Sequence, residues 1–308
     1  EEDVQQYSPN NGGGFDASGK IKNGDTGDVA CDHYHRYIED VAIMKEMGLK
    51  AYRFSIAWTR IIPDGTGEIN EKGLQFYRNL VEELVNSGIE PYVTLYHWDL
   101  PQSLHEKGGW LNPNISDIFA EYVKVVVDAL SDKVTYWMTF NEPQIFINLG
   151  YGEGVHAPGL KCSLKERFQM AHNVMLAHGK AVQAIRQYSK KESRVGIAPN
   201  AMVMLPETSD ENTVEFAKAM CFSNHEQIGL FSTSWWLDPI ILGRYPEDGL
   251  IAYKDFLPEG KDGDMDIICQ PLDFLGVNLY QGMKVAYDPV TTIRFSKREP
   301  GYPATALQ

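Results

Sequence analysis

Cysteine is scarce. Four residues, Cys31, Cys162, Cys221 and Cys269, are scattered through 308 positions, too far apart for a dense disulfide framework or a metal-ligand pattern. Buried free thiols are the expectation, and with them a cytoplasmic location. Long apolar runs are absent too. No stretch approaches the roughly 18 residues needed to cross a bilayer, so no membrane partner is expected, and the acidic, polar start does not read as a signal peptide. Basic charge is in deficit, with 28 Lys and Arg against 42 Asp and Glu and a net charge of -14, which argues against a nucleic-acid partner. No Gly-rich phosphate loop follows a strand. The nearest pattern, Gly150-Tyr151-Gly152-Glu153-Gly154, opens no clear helix. Neither cofactor nor metal is therefore expected.

What the chain does have is alternation. Residues 1–19 read as a polar, Gly-rich arm, and residues 20–308 as one α/β domain. Apolar residues at helical spacing mark helices over 32–47, 71–87, 116–130, 163–189 and 213–222, and the segment around Trp235-Trp236 also reads as helical. Between them, β-prone runs mark strands over 50–58, 90–97, 133–140, 194–199 and 272–279. Asn114 or Ser116 is the expected cap of the third helix. The remainder, to Gln308, reads as loop. Alternation at this spacing predicts right-handed βαβ crossovers and a parallel sheet.

Polar or aromatic groups gather where five strands end: Arg53 and Trp58, His97 and Trp98, Asn141 and Glu142, Asn200, then Asn278 and Tyr280. That repetition favours a (β/α) barrel, whose chemistry sits at the C-terminal ends of its strands. A doubly wound open sheet remains as the alternative. The run Val134-Thr135-Tyr136-Trp137-Met138-Thr139-Phe140 enters Asn141-Glu142-Pro143, which makes Glu142 the first candidate for a catalytic group. Trp235 and Trp236 fit an entrance or a core equally, while Met202 and Met204 read as core. His33 and His35 read as scaffold.

Five ordered motifs carry a resemblance. They are the segment from Gly27-Asp28-Val29 to Tyr37, Tyr52-Arg53-Phe54-Ser55-Ile56-Ala57-Trp58, Tyr96-His97-Trp98-Asp99-Leu100-Pro101, Thr139-Phe140-Asn141-Glu142-Pro143, and Asp273 through Tyr280. In order and spacing the chain resembles glycoside hydrolase family 1, the β-glucosidase group, from about Gly19 to near its end. The resemblance implies a (β/α)8 TIM barrel and a retaining β-glycosidase acting on a β-glucoside or oligosaccharide. It implies Glu142 as acid/base, Arg53 beneath the nucleophile and Tyr280 orienting it. His97, Trp98 and Asn141 would bind the sugar, with Asn200 and Asn278 as further polar groups around it. A glycosidic oxygen leaves poorly until protonated, and a second carboxylate about 5–5.5 Å away attacks the anomeric carbon.

The departures are equally specific. The family's Thr-Glu-Asn-Gly nucleophile motif does not occur in the sequence. The first, seventh and eighth strands have no counterpart, so about five of eight barrel strands are expected. Gln144 stands where Trp is usual, and Leu279 where Tyr is usual. The expectation is a partial barrel, inactive alone, completed by a missing C-terminal segment or by self-association. The other reading is a non-catalytic sugar-binding or structural protein.

Overall fold

The computed structural model describes residues 29–201, 203–224, 228–280, 282–287 and 294–295. The expected arm, Gly27 and Asp28 of the first motif, and Met202 lie outside these. Within them, eight strands are β1 (Ala51–Ser55), β2 (Glu90–Tyr96), β3 (Tyr136–Asn141), β4 (Arg194–Ala198), β5 (Val203–Pro206), β6 (Phe274–Leu275), β7 (Gly282–Ala286) and β8 (Arg294–Phe295). The principal helices are α1 (His33–Glu46), α2 (Glu71–Asn86), α3 (Ile115–Leu130), α4 (Leu164–Tyr188), α5 (Glu211–Met220), α6 (Thr233–Leu242) and α7 (Asp264–Ile268).

One sheet holds five strands in the order β1-β2-β3-β4-β6, every pair parallel. Neighbours follow chain order without the reversal that defines a doubly wound sheet. This is an incomplete (β/α) barrel. Its helices form where their sequences say they should. Ser163 and Glu166 make a reciprocal capping box at the start of α4, and the Asn70 side chain accepts from Gly73 N–H at α2. Asn114 precedes α3 but makes no side-chain cap, and Ser116 lies inside that helix, where Lys180 of α4 donates to its hydroxyl. The core lies between the sheet and these helices. Trp110, Phe119, Tyr122, Trp137 and Phe140 are fully buried there, their rings packed mostly edge-on or tilted.

Several expectations need correction. Trp58 is not at a strand end. It opens a helical turn, Trp58–Ile61, and stacks on Tyr122 with centroids 4.9 Å apart. Trp235 and Trp236 are core residues, not an entrance. The C-terminal region read as loop holds β7 and β8, which with β5 make a second sheet over a small cluster of Met204, Ala217, Met220, Ile228 and Val285. The thiols are free but not buried. Cys31 is exposed and the other three are partly so, because they sit beside helix ends instead of on apolar stripes.

Behind β3 lies a buried histidine. His178 of α4 has no solvent exposure, and its Nδ1 pairs with Thr139 Oγ1 at 2.7 Å. Its Nε2 has no hydrogen-bond partner among the described residues. Burial pushes the imidazole down to about 3. The unfolded chain therefore takes up this proton first, so the stability held by neutral His178 is complete above about pH 6.5 and is lost as pH falls toward 3. The slope is about 1.4 kcal/mol per pH unit at most. Urea unfolding at pH 7 and pH 5 should show the wild type losing about 2 kcal/mol more than His178→Gln over that interval. Equal losses would count against the buried neutral ring.

Candidate active site

Asn141, the last residue of β3, is the hub. A register shift between Met138 and Asn141 interrupts the β3–β4 ladder, and such bulges re-aim side chains. The Asn141 Oδ1 accepts from Arg53 Nη2 at 2.6 Å and from Asn278 Nδ2 at 2.9 Å. The amide is thereby oriented, with Nδ2 turned to His97 Nε2 at 3.1 Å. That nitrogen must accept, so the imidazole is neutral with its proton on Nδ1. The electrostatics agree. Although His97 as a residue is exposed, burial of the ring and the nearby Arg53 cation push it down to about 4.

Glu142 is 5% exposed. Its N–H donates to the Ala198 carbonyl at 2.7 Å, extending the sheet one step past the strand. Its Oε1 accepts from Asn278 Nδ2 at 2.9 Å and from Asn200 Nδ2 at 3.4 Å. The backbone is left-handed, with φ 44°. Pro143 bars the right-handed helical region to the residue before it, and a side chain held at positive φ costs roughly 1–3 kcal/mol. Trp98 is also left-handed, with φ 76°. Its indole donates to the Asn141 carbonyl at 2.8 Å, the peptide group that leads into Glu142.

Arg53 lies mid-strand on β1. Besides Asn141 it donates to Thr94 Oγ1 at 3.0 Å and to Asn278 Oδ1 at 3.2 Å. Tyr280 is 66% exposed. Such burial as it has, and then the facing Glu142, raise its phenol, with Arg53 opposing. A cavity of about 680 Å³ flanks the cluster along β1, its lining including Arg53, Thr94, His97, Cys31, His33 and Asp40.

All eight residues proposed from the sequence thus converge, Tyr280 from the rim. Three were missed. Thr94 anchors Arg53. Asp99, 2% exposed, accepts from Trp58 N–H at 2.7 Å and His97 N–H at 3.2 Å. Gln144, fully buried, uses its amide as a backbone group would, donating to Asn200 O at 3.0 Å and accepting from Asn200 N–H at 3.3 Å. Thr94 was signalled by its alternation with Val93 and Leu95 on β2. Asp99 gave no sign and Gln144 stood out only as a departure from Trp, because the Trp58 and Asn200 main-chain groups they meet lie 41 and 56 residues away.

Comparison with known proteins gives the cluster its context. The family model for glycosyl hydrolase family 1 matches residues 15–305. The chain is 43% identical over 289 residues to the 1,4-beta-D-glucan glucohydrolase of Thermotoga neapolitana, covering 94% of this chain and 66% of that one. It is 45% identical over 283 residues to Beta-glucosidase A of Acetivibrio thermocellus, covering 90% and 60%. A solved β-glucosidase from Thermotoga maritima in complex with glucoimidazole superposes with a TM-score of 0.82 at 40% identity, covering 96% of this chain and 64% of that one. The chain thus spans less than two thirds of the length of these relatives. With a family match across nearly the whole sequence and the same fold in a solved relative, the chain belongs to glycosyl hydrolase family 1.

Proposed function

We propose that this chain carries the acid/base half of a retaining β-glucosidase acting on terminal β-linked glucosides. The observation that carries the reading is Glu142, nearly buried at the end of the central strand with two amide donors on one carboxyl oxygen. In this reading Glu142 protonates the departing glycosidic oxygen and later deprotonates the attacking water. Asn141 bonds the sugar 2-hydroxyl as charge develops, and His97 and Trp98 hold the glycone. Arg53 and Tyr280 hold and orient the nucleophile, while Asn200 and Asn278 set the Glu142 carboxyl. Arg53 supports this assignment: its hydrogen bonds go to neutral oxygens of Thr94, Asn141 and Asn278, so the guanidinium can still receive an anion. The names of the relatives support a β-glucoside substrate. No Thr-Glu-Asn-Gly motif occurs in these 308 residues, so the nucleophile comes from outside them.

The test is hydrolysis of 4-nitrophenyl β-glucoside by the 308-residue chain, alone and with the unmatched third of the Thermotoga neapolitana relative added as a separate polypeptide. The expected result is no turnover alone and measurable turnover together. Turnover by the chain alone that Glu142→Gln removes would overturn the external nucleophile. Sugar binding by the mixture without any hydrolysis would favour the non-catalytic alternative.

A further inference from the structure

We propose that Asp99 is a positioning residue that holds the left-handed turn at Trp98 and, through the Trp98 indole, the backbone of Glu142. This rests on the reading of Glu142 as the acid/base. The geometry forms a chain of three links. The Asp99 carboxylate bridges two loops, accepting from Trp58 N–H beyond β1 and from His97 N–H at the end of β2. Between His97 and Asp99 stands Trp98, at φ 76°, a conformation that persists only where its surroundings impose it. The indole then donates to the Asn141 carbonyl, and Glu142, also left-handed, follows directly. The two left-handed residues, each just past the end of one of two adjacent strands, are therefore linked through the Asn141 carbonyl, and Asp99 supplies the support on the Trp98 side. Trp58 N–H is buried with its residue, so loss of the carboxylate oxygen leaves that donor without its acceptor.

The support is sensitive to protonation. Burial raises Asp99 to about 6, against the pull of its backbone donors and of Arg60. The other titratable groups facing it are Tyr77 of α2, Tyr96 of β2 and Tyr122 of α3. All three phenols are held above their ordinary range by burial, so they stay neutral while Asp99 titrates. A protonated Asp99 has lost one acceptor oxygen, and the turn loosens.

The test is nuclear magnetic resonance of the full chain, following the Trp98 indole N–H and the Glu142 amide between pH 5 and pH 7.5. Both resonances should titrate together with a midpoint near 6. In Asp99→Asn both should be flat across that range. His156 lies 5.6 Å from the Trp98 ring, so His156→Gln is the second variant, and the titration should persist in it. Resonances that stay fixed in the wild type, that titrate unchanged in Asp99→Asn, or that flatten in His156→Gln would each overturn the proposal. Should Asp99→Asn not fold, the wild type and His156→Gln still decide. The readout needs no turnover, so failure of the glucosidase reading appears separately, as missing hydrolysis beside an intact titration.

Discussion

In the complemented enzyme, Glu142→Gln is expected to slow hydrolysis of alkyl β-glucosides such as cellobiose roughly 10²–10⁴-fold. Cleavage of the bond to an acidic phenol should suffer much less. An alkoxide cannot leave without a proton, whereas 4-nitrophenolate can. The substitution is well suited to isolating that proton. Glutamine keeps the volume of Glu142 and an oxygen able to accept from Asn278, so the hydrogen bonds at Oε1 survive while the transferable proton does not. On the proposed mechanism the second step also uses Glu142, as base toward water. With aryl substrates the sugar should therefore remain on the nucleophile, giving a burst of phenol followed by slow turnover. A series of aryl glucosides ordered by leaving-group acidity would show a steep dependence in the variant that the parent lacks. An equal loss across the series would remove Glu142 from the proton-transfer role.

Gly179→Ala should give a large loss of stability from a single added methyl group. Gly179 lies on α4 where it meets α7, and a Cβ there would stand 1.9 Å from the Ile267 carbonyl oxygen and 2.6 Å from its carbon. Both are main-chain atoms, so no side-chain rotation relieves the overlap. The two helices must separate, and the His172–Asp264 contact at 3.0 Å joins the same pair. Overpacking of this kind costs about 3 kcal/mol or more. For a chain of 308 residues that corresponds to a fall in Tm of about 5 °C. Thermal unfolding followed by circular dichroism measures it, and a change within 1 °C would mean that the junction yields freely. Gly48, with open space around its Cβ position, offers no such overlap. Substitution there carries only the strain of its φ of 76°.

The central strands were readable because burial on both faces makes them continuous apolar runs. Val93, Leu95, Trp137 and Phe140 are all buried. The ends were less readable. The first strand was drawn through Trp58, which the backbone turns into a helical coil. The second sheet escaped notice because its strands are short and lack alternation. β5 ends in Pro206, β7 begins at Gly282 and carries an exposed Lys284, and these partners lie some eighty residues apart. In the site, Asn141 and Glu142 could be read because a proline fixes the strand's end just after them. The roles of Asp99 and Gln144 could not, since the Trp58 and Asn200 backbone groups they meet approach only in the folded sheet.

The order of the five-stranded sheet has a consequence for when the site exists at all. Among the described residues, β3 stands in the middle of this sheet, two strands from either margin, whereas β1 lies at one margin and is only partly covered. Opening fluctuations begin at margins and reach the centre last. The amides of Trp137 and Phe140 therefore belong to the slowest-exchanging set, and those of Tyr52 and Arg53 to a faster one. Glu142 and Asn141 thus follow the most central strand of this sheet, while the guanidinium that faces them comes from a strand at its described margin. Among the described residues, the site thus joins a side chain from the margin of the sheet to a carboxyl group at its centre, and its two halves answer to opening events of different frequency.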